Sequence, residues 1–525
     1  MDSQPSRPPG KWWVATAVLS GQLTLAFGMF AVVVALPKIM TAFGTDVNTI
    51  QWVMTGYLIA RAVPMPALGW LASLLGKRDL YVLGVLGATL CTLLSGLAWN
   101  IESLIVFRIL QGALGAPAMG MGMVLLYEAF PPHQRGLAMG LLLLVGSLGP
   151  TIGPSLGGYL VQEISWRAIF FLGLPSGVAS LLLLVTLIPR DPPAGERTVD
   201  LPGLVTMTVF LVALLLALTQ GQRQGWTSAY ILGLFATAAV FCALFVVLEL
   251  RTPHPVVELR LYRNFSFTMA SLVVLLYNAG FVGTNFLVAL MLQVVFDFTP
   301  LQAGLILAPG AVVMGWVGLL SGRLADRFDP RLPVLCGLLF FALDMYLFAS
   351  LSLLATVGLV TLLVIVQRGS FGLIQSPITT AVMRTLRPEE RSMGSGLHGV
   401  HRGVAMAFGV ALCSMLLDKR LAVHSLLLAQ QHDPLALPVQ EALGAFAEVL
   451  RDAGYAPPLV PEAAMAALGR LFAAHVRMAA YQDCFLLLSL IFLAALLPAW
   501  LAGPPRPRRA SREAAAAAVP SPRVV

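Results

Sequence analysis

The chain has 525 residues, of which 58% are hydrophobic and only 11% charged. A soluble domain carries roughly 25% charged residues, so the composition excludes an ordinary soluble protein and points to an all-α integral membrane bundle with length for many spans. The net charge of +8 is no mark of nucleic-acid binding, because the cations sit in short loops on one side, without a basic groove or aromatic-basic platform.

A spanning helix needs about 20 mostly apolar residues. In chain order such runs fall at 12–36, 51–71, 80–99, 103–126, 137–161, 167–188, 201–219, 230–249, 266–291, 301–321, 332–352, 355–383, 394–417 and 483–502, fourteen in all. The first follows Arg7 and Lys11 and is longer than the roughly 7–15 apolar residues of a signal peptide, so it reads as a span. The second carries an unexpected cation, Arg61, between "GYLIA" and "AVPMP". It ends in "GWLASLLGKR" (69–78), with Gly69, Gly76, Lys77 and Arg78. After the tenth run comes "GRLADRFDPR" (322–331), with Gly322, Asp326 and Arg327. Both place Gly-x-Leu-Ala before a cation-rich turn. Two related halves joined by extra helices are a transporter pattern, and runs seven and eight form the insertion.

The fourth run holds "FRILQGALGAP" (107–117), with Arg108, Gln111 and Gly112. The fifth holds "GSLGPTIGPSLGG" (146–158). Gly146, Pro150, Pro154 and Gly158 recur every four residues, and so do Gly149, Gly153 and Gly157. On a helix these are adjacent small-residue stripes that admit a close neighbour, and each proline removes a backbone donor and predicts a kink.

The loops alternate in charge. One side receives Arg7 and Lys11; Lys77 and Arg78; His133 and Arg135; Arg190 and Arg197; and Arg251, Arg260 and Arg263. It continues with Arg323, Arg327 and Arg331; Arg384, Arg387 and Arg391; and the tail Arg506, Arg508, Arg509 and Arg512. Both termini are therefore expected in the cytoplasm. Residues 419–482 form a long external loop with amphipathic stretches near 437–452 and 461–480, read either as a cap or as a docking surface.

Ionisable groups inside spans are functional hypotheses. They are Arg61, Arg108, Asp344, Arg368 and Arg402, with His398 and His401 nearby. Arg108 is read either as a functional charge of the span or as a cation snorkelling to a helix end, since Asn100 and Glu102 mark the outer boundary nearby. Asp344, isolated in "FFALDMYLF", is a proton-carrier candidate. His398 is read either as a titrating group or as exposed at the cytoplasmic end. Gln22, Tyr57, Gln111, Asn278, Asn285, Gln293 and Gln367 either line a path or join helices. The five cysteines, Cys91, Cys242, Cys336, Cys413 and Cys484, lack metal or disulfide spacing. No phosphate-binding loop and no catalytic cluster occurs, so no cofactor, metal or enzyme activity is expected.

Taken together with "QWVMTGYLIARAVPMPALGW" (51–70), "LRPEERSMGSGLHGVHRGVAMAFG" (386–409) and "MAAYQDCFLLL" (478–488), these motifs resemble the major facilitator superfamily. More narrowly, they resemble its 14-span drug:proton antiporter branch, of the EmrB/QacA type, from about residue 12 to 502. The resemblance implies 14 transmembrane helices: a six-helix bundle (1–190), two inserted helices with linkers (191–263) and a second six-helix bundle (264–502), before a basic tail (503–525). It implies proton-coupled efflux of amphipathic small molecules, such as drugs, across a bacterial cytoplasmic membrane by alternating access. The implied partners are substrate, protons and the bilayer, with a periplasmic adaptor and outer-membrane channel where the cell has two membranes. It also ties Arg108 to proton coupling, aligns Arg402 with an arginine of that branch, and reads the fifth-run stripes as an exporter's sealing helix rather than plain close packing.

Two departures stand out. Ser73 and Leu74 occupy the place of the first loop motif's acid. In "GMFAVVVALP" (28–37), Gly28 and Val33 replace the branch's first-span acid and asparagine. These departures and Arg61 keep open an alternative, an exporter of a specific, anionic metabolite. A non-transporting scaffold or sensor is disfavoured by the coherent motif set.

Overall fold

The computed structural model describes residues 10–189, 200–252, 255–431 and 437–502. Among them all regular elements are helical. Arg7, Arg190, Arg197 and the tail 503–525 lie outside the described residues.

The helices are α1 Lys11–Phe43, α2 Val47–Ile50, α3 Trp52–Ala62, α4 Leu68–Leu75, α5 Lys77–Gly96 and α6 Ile101–Ala129. Then come α7 Arg135–Glu163, α8 Ala168–Phe171, α9 Leu174–Leu187, α10 Leu201–Gln224, α11 Ala229–Arg251 and α12 Phe265–Val294. The chain closes with α13 Pro300–Arg327, α14 Arg331–Ala349, α15 Val357–Arg384, α16 Arg391–Gln431, α17 Leu437–Asp452 and α18 Val460–Leu501. Short polar side chains start several of them. Asn100 and Ser103 exchange a capping box at α6, Thr299 and Gln302 another at α13, and Asp200, Ser228, Asn264 and Thr356 each cap the helix that follows.

Among the described residues, 12 helical segments are long and apolar enough to cross a membrane. The fourteen expected from sequence are therefore not all of one kind. The run 51–71 is broken into α3 and α4, because Pro64 and Pro66 between them cannot donate to a helical ladder. The other, 137–161, is the 29-residue α7, in which the glycine- and proline-rich stretch stays within a single helix. The side chains of Pro150 and Pro154 lie outside the described residues.

Helices α1 and α3–α9 pack into one group and α12–α18 into another. The groups meet along α7–α13 and where α16 crosses α4 and α6. The paired α10 and α11 sit beside this division: α10 touches both α3 and α16. Its adjacent Gln222 and Arg223 donate to Asp418 of one group and Gln51 of the other.

Glycine sets the α7–α13 seam. A Cβ on Gly136 would strike the Gly322 carbonyl, and one on Gly322 would strike the Gly136 carbonyl, so only glycine allows this backbone approach. Higher on α7 the row Gly149, Gly153 and Gly157 is buried while Gly146 is exposed. At Gly157 a Cβ would lie 3.3 Å from the Ala31 carbonyl of α1. At Gly157 and Gly158 the stripes thus pack α7 against α1 of its own group, and the cross-group seam runs lower, from Gly136 through Gly140 to Ser147, which faces Gly315.

Residues 419–482 are mostly continuous helix rather than irregular loop. The stretch 437–452 is α17, and 461–480 is the first half of α18. A helix of 41 residues is about 60 Å long, about twice the hydrocarbon thickness. Helices α16 and α18 therefore project well past the bundle. Asp483 ties them together, accepting from His424 at 2.8 Å and lying 3.6 Å from Arg420.

Candidate functional site

Arg108 lies two turns into α6 and is 0% exposed. Its Nε donates to the Val53 carbonyl at 3.1 Å, and its Nη1 donates to the Gly28 carbonyl at 2.8 Å and to Gln111 Oε1 at 2.6 Å. The guanidinium sits 4.2 Å from the Tyr57 ring centre, a cation–π contact. Gln111 Nε2 donates to Thr92 Oγ1 at 2.5 Å, and Thr92 donates to the Ala88 carbonyl at 2.6 Å. Arg108 does not snorkel to the helix end. It knits α1, α3, α5 and α6 together through carbonyl dipoles, without a carboxylate.

Gly28 explains the missing first-helix acid. Its carbonyl is the group that meets Arg108, and a Cβ there would come within 2.9 Å of Gln111 Nε2. The Gln111 amide fills the space an acidic side chain at this position would need.

A second set of cations comprises Arg61 and Arg402, which approach each other from the two groups, and Arg368, whose neighbours lie inside the second group. Arg61, half-buried, is held against Met29 Sδ at 3.4 Å and against Met119. Arg402 on α16 lies within electrostatic range of Arg61 and of the Tyr277 hydroxyl. Arg368 on α15 rests 5.2 Å from the Phe281 ring centre, and Phe281 stacks on Phe371 at 3.7 Å. Tyr277 donates to Gln375. Among the described residues none of Arg61, Arg108, Arg368 and Arg402 pairs with a carboxylate.

The remaining polar residues divide by environment. Gln22 joins α1 to α6 by donating to the Ala118 carbonyl at 2.9 Å. Asn278 bonds to Val274 within its own helix. The Asn285 oxygen is buried without a partner. Gln293 is exposed near the end of α12 and folds back on the Ala289 carbonyl, away from the arginines. His398 is buried rather than exposed at a helix end. His401 Nε2 meets Tyr262 Oη at 2.6 Å. Burial pushes the Tyr262 hydroxyl up to about 12, so it stays un-ionised.

The two loop motifs do different work. Asp326 of the second copy crosses the seam and accepts from the backbone N–H groups of Gly136 at 2.6 Å and Leu137 at 2.8 Å, with Arg384 3.5 Å away. A carboxylate thus caps the N-terminus of α7 from the other group, where helix and anion attract. Arg327 is exposed. In the first copy Gly69 approaches Met393, near the N-terminus of α16, but Ser73 carries no charge and only bonds back to the Trp70 carbonyl. Glu128, at the end of α6, supplies the charge instead. It pairs with Lys77 at 2.7 Å and reaches across to Arg391, the first residue of α16, at 3.4 Å. Arg78 turns the other way, to Asp79 at 2.6 Å and to the Leu184 and Val185 carbonyls. Glu128 escapes motif reading because it lies outside both copies. The available signal is a lone acid at a span end, in "YEAF", on the side where "GKR" and Arg391 gather.

A family model described as Major Facilitator Superfamily matches residues 18–410. The multidrug resistance protein Stp of Mycobacterium tuberculosis (strain CDC 1551 / Oshkosh) is 34% identical over 390 residues, covering 73% of this chain and 72% of that protein. The fatty acid resistance protein FarB of Neisseria gonorrhoeae is 30% identical over 410 residues, 78% of this chain and 81% of its own length. In three dimensions the crystal structure of the human organic anion transporter MFSD10 (TETRAN) superposes with a TM-score of 0.60 at 16% identity, covering 95% of this chain and all of that one, which speaks for the fold. The helical bundle with its divided halves, the loop motifs and these relatives agree: the chain belongs to the major facilitator superfamily of multi-pass membrane transporters.

Proposed function

We propose that the chain is a proton-driven exporter of amphipathic small molecules, with a preference for anionic ones, working by alternating access. The observation that supports this reading is a set of arginines, of which Arg61 and Arg402 approach each other from the two helix groups. Arg61, Arg368 and Arg402, backed by Arg108, sit beside methionine and aromatic surface without carboxylate partners. Apolar walls with a few fixed cations suit a molecule with a greasy body and a negative head. The printed name of FarB, a fatty acid resistance protein, agrees with an amphipathic anion. Stp, named for multidrug resistance, agrees with export of foreign compounds.

In this reading α3–α4 and α7 also cross the bilayer, giving fourteen spans arranged as six, two and six. Both termini are cytoplasmic by the positive-inside rule, and the membrane is the bacterial inner membrane. The seam held by Asp326 and the Glu128–Arg391 bridge then lie on the cytoplasmic side. They favour the conformation closed there, and their release allows the halves to rock. The projecting ends of α16 and α18, with α17, lie on the outer side, where a periplasmic adaptor leading to an outer-membrane channel would dock.

The test uses purified protein in proteoliposomes with an imposed pH gradient and an internal pH dye. Amphipathic anions are expected to trigger proton movement more strongly than lipophilic cations. Arg61→Ala is expected to weaken the response to anions more than to cations. A response confined to cations in the parent protein overturns the anionic preference, and no substrate-triggered proton movement with either class overturns the antiport reading.

A further inference from the structure

Inside the second helix group two buried polar side chains are left without hydrogen-bond partners. Asp344 on α14 is 0% exposed, and neither carboxyl oxygen has a hydrogen-bond partner. Gln367 on α15 is also 0% exposed, with both amide atoms unpartnered.

These residues belong to one interface. α14 and α15 pack together, and a Cβ on Gly337 of α14 would touch Ile374, Leu373 and the Ser370 carbonyl of α15. Asp344 is seven residues, close to two turns, beyond Gly337, so it returns to the same face. The facing chain runs antiparallel, and an equal step back along α15 arrives beside Gln367. The opposite flank of α14 serves α18, where Ser489 donates to the Ala342 carbonyl at 2.7 Å. The packing that places Asp344 toward α15 is therefore independent of Asp344 itself.

We propose that Asp344 and Gln367 form a proton-binding site, in which Asp344 holds the transported proton and Gln367 is its hydrogen-bonding partner. The proposal rests on the proton-driven reading above. A bare carboxylate buried without a donor is too costly to persist, so the group neutralises instead. In the proposed site a protonated Asp344 has an O–H to donate, and Gln367 Oε1, buried without a donor of its own, is the acceptor it would turn to. The only bond made or broken is this O–H. Release of the proton requires water to reach the α14–α15 interface, a local opening within the second group that accompanies the rocking of the halves. The site stands in for the first-helix acid, whose place is taken by Gly28 and the Gln111 amide.

The surrounding charges leave this role to Asp344. On α15 the next residue, Arg368, is directed to Phe281 and Gly310. Along residues 480–501 of α18 the titratable groups are Tyr481 and Cys484, both buried, and Asp483, which is engaged by His424 and Arg420. On α12 the nearest is Tyr277, bonded to Gln375. On α13 the charges are Arg323, Asp326 and Arg327 at its far end. None of these bonds to Asp344.

The test is infrared difference spectroscopy on reconstituted protein stepped from acid to alkaline pH. A protonated-carboxyl carbonyl band is expected that is lost in Asp344→Asn and shifted in Gln367→Leu, an apolar replacement that leaves the carboxyl in place. A band set unchanged in both variants overturns the proposal. Substrate exchange without a gradient is measured alongside. Exchange retained in Asp344→Asn with loss of gradient-driven transport supports the site, and gradient-driven transport at the parent level in that variant overturns it. If the parent protein itself shows no gradient-driven transport, the antiport reading fails, and the infrared band still decides whether Asp344 binds a proton. If Asp344→Asn does not fold, Gln367→Leu decides alone: a shifted band supports the site and an unshifted one overturns it.

Discussion

The cap that Asp326 places on α7 is the contact whose loss should be easiest to read. In Asp326→Asn the side chain keeps one acceptor oxygen and turns an amide toward the second backbone N–H. The parent carboxylate is only 6% exposed and accepts from Gly136 at 2.6 Å and Leu137 at 2.8 Å. A charge-assisted hydrogen bond is worth about 1.5–3 kcal/mol and a neutral one about 0.5–1.5. One bond weakened and one lost therefore remove about 2.5–4.5 kcal/mol from the closed seam, or about 70- to 2,000-fold in the closed-to-open ratio. The Arg384 attraction adds little, since that side chain is 29% exposed. The assay is pulsed electron spin distance measurement with labels at His133 and Asp329, one on each side of the seam, in protein whose native cysteines are replaced. The parent should give a short-distance population, and Asp326→Asn a second, longer one. A distribution that stays short, in protein that melts as the parent does, refutes the argument that this carboxylate holds the seam.

Other substitutions probe neighbouring contacts. Glu128→Gln removes the charge that bridges Lys77 and Arg391, but at 25% exposure it should cost only about 1 kcal/mol. The same labels should therefore show a smaller shift than Asp326→Asn. Because the two sites share no partner, the double substitution should add to within about 0.5 kcal/mol, and strong non-additivity would argue against two separate latches. Arg108→Lys replaces a planar fork with a single ammonium that cannot serve Val53, Gly28 and Gln111 at once. Each buried carbonyl left unpaired costs about 1–3 kcal/mol. Thermal melting in detergent should therefore fall clearly, and an unchanged melting point would mean that the network is not structural.

Much of this protein is legible before any coordinates. The bilayer demands long apolar helices with internally satisfied backbones, so the spans show as runs of sequence, and residues 437–452 show as the helix α17. The repeated Gly-x-Leu-Ala motif marks the two halves, because a close helix crossing admits only a small residue. Gly322 at the Gly136 carbonyl is that requirement realised. Asp326 shows as the acid of the second loop motif, at the place that Ser73 and Leu74 leave uncharged in the first.

What the sequence withholds is which groups meet across the fold. That Arg108 is satisfied by the Gly28 carbonyl depends on α1 crossing α6 at one height, a fact spread over residues far apart in the chain. Glu128 becomes the partner of Arg391 only because α6 and α16 end side by side. Pro64 and Pro66 are visible in "AVPMP", but their consequence, a span broken into α3 and α4, is a matter of backbone hydrogen bonding that hydropathy does not register. The same holds for Asp344. Its isolation in an apolar run is plain from sequence. Its lack of any partner, beside a glutamine equally bare, follows from how α14 lies on α15. Local chemistry fixes which helices form and how long they run, and the energies that separate a held charge from a bare one arise only when those helices pack.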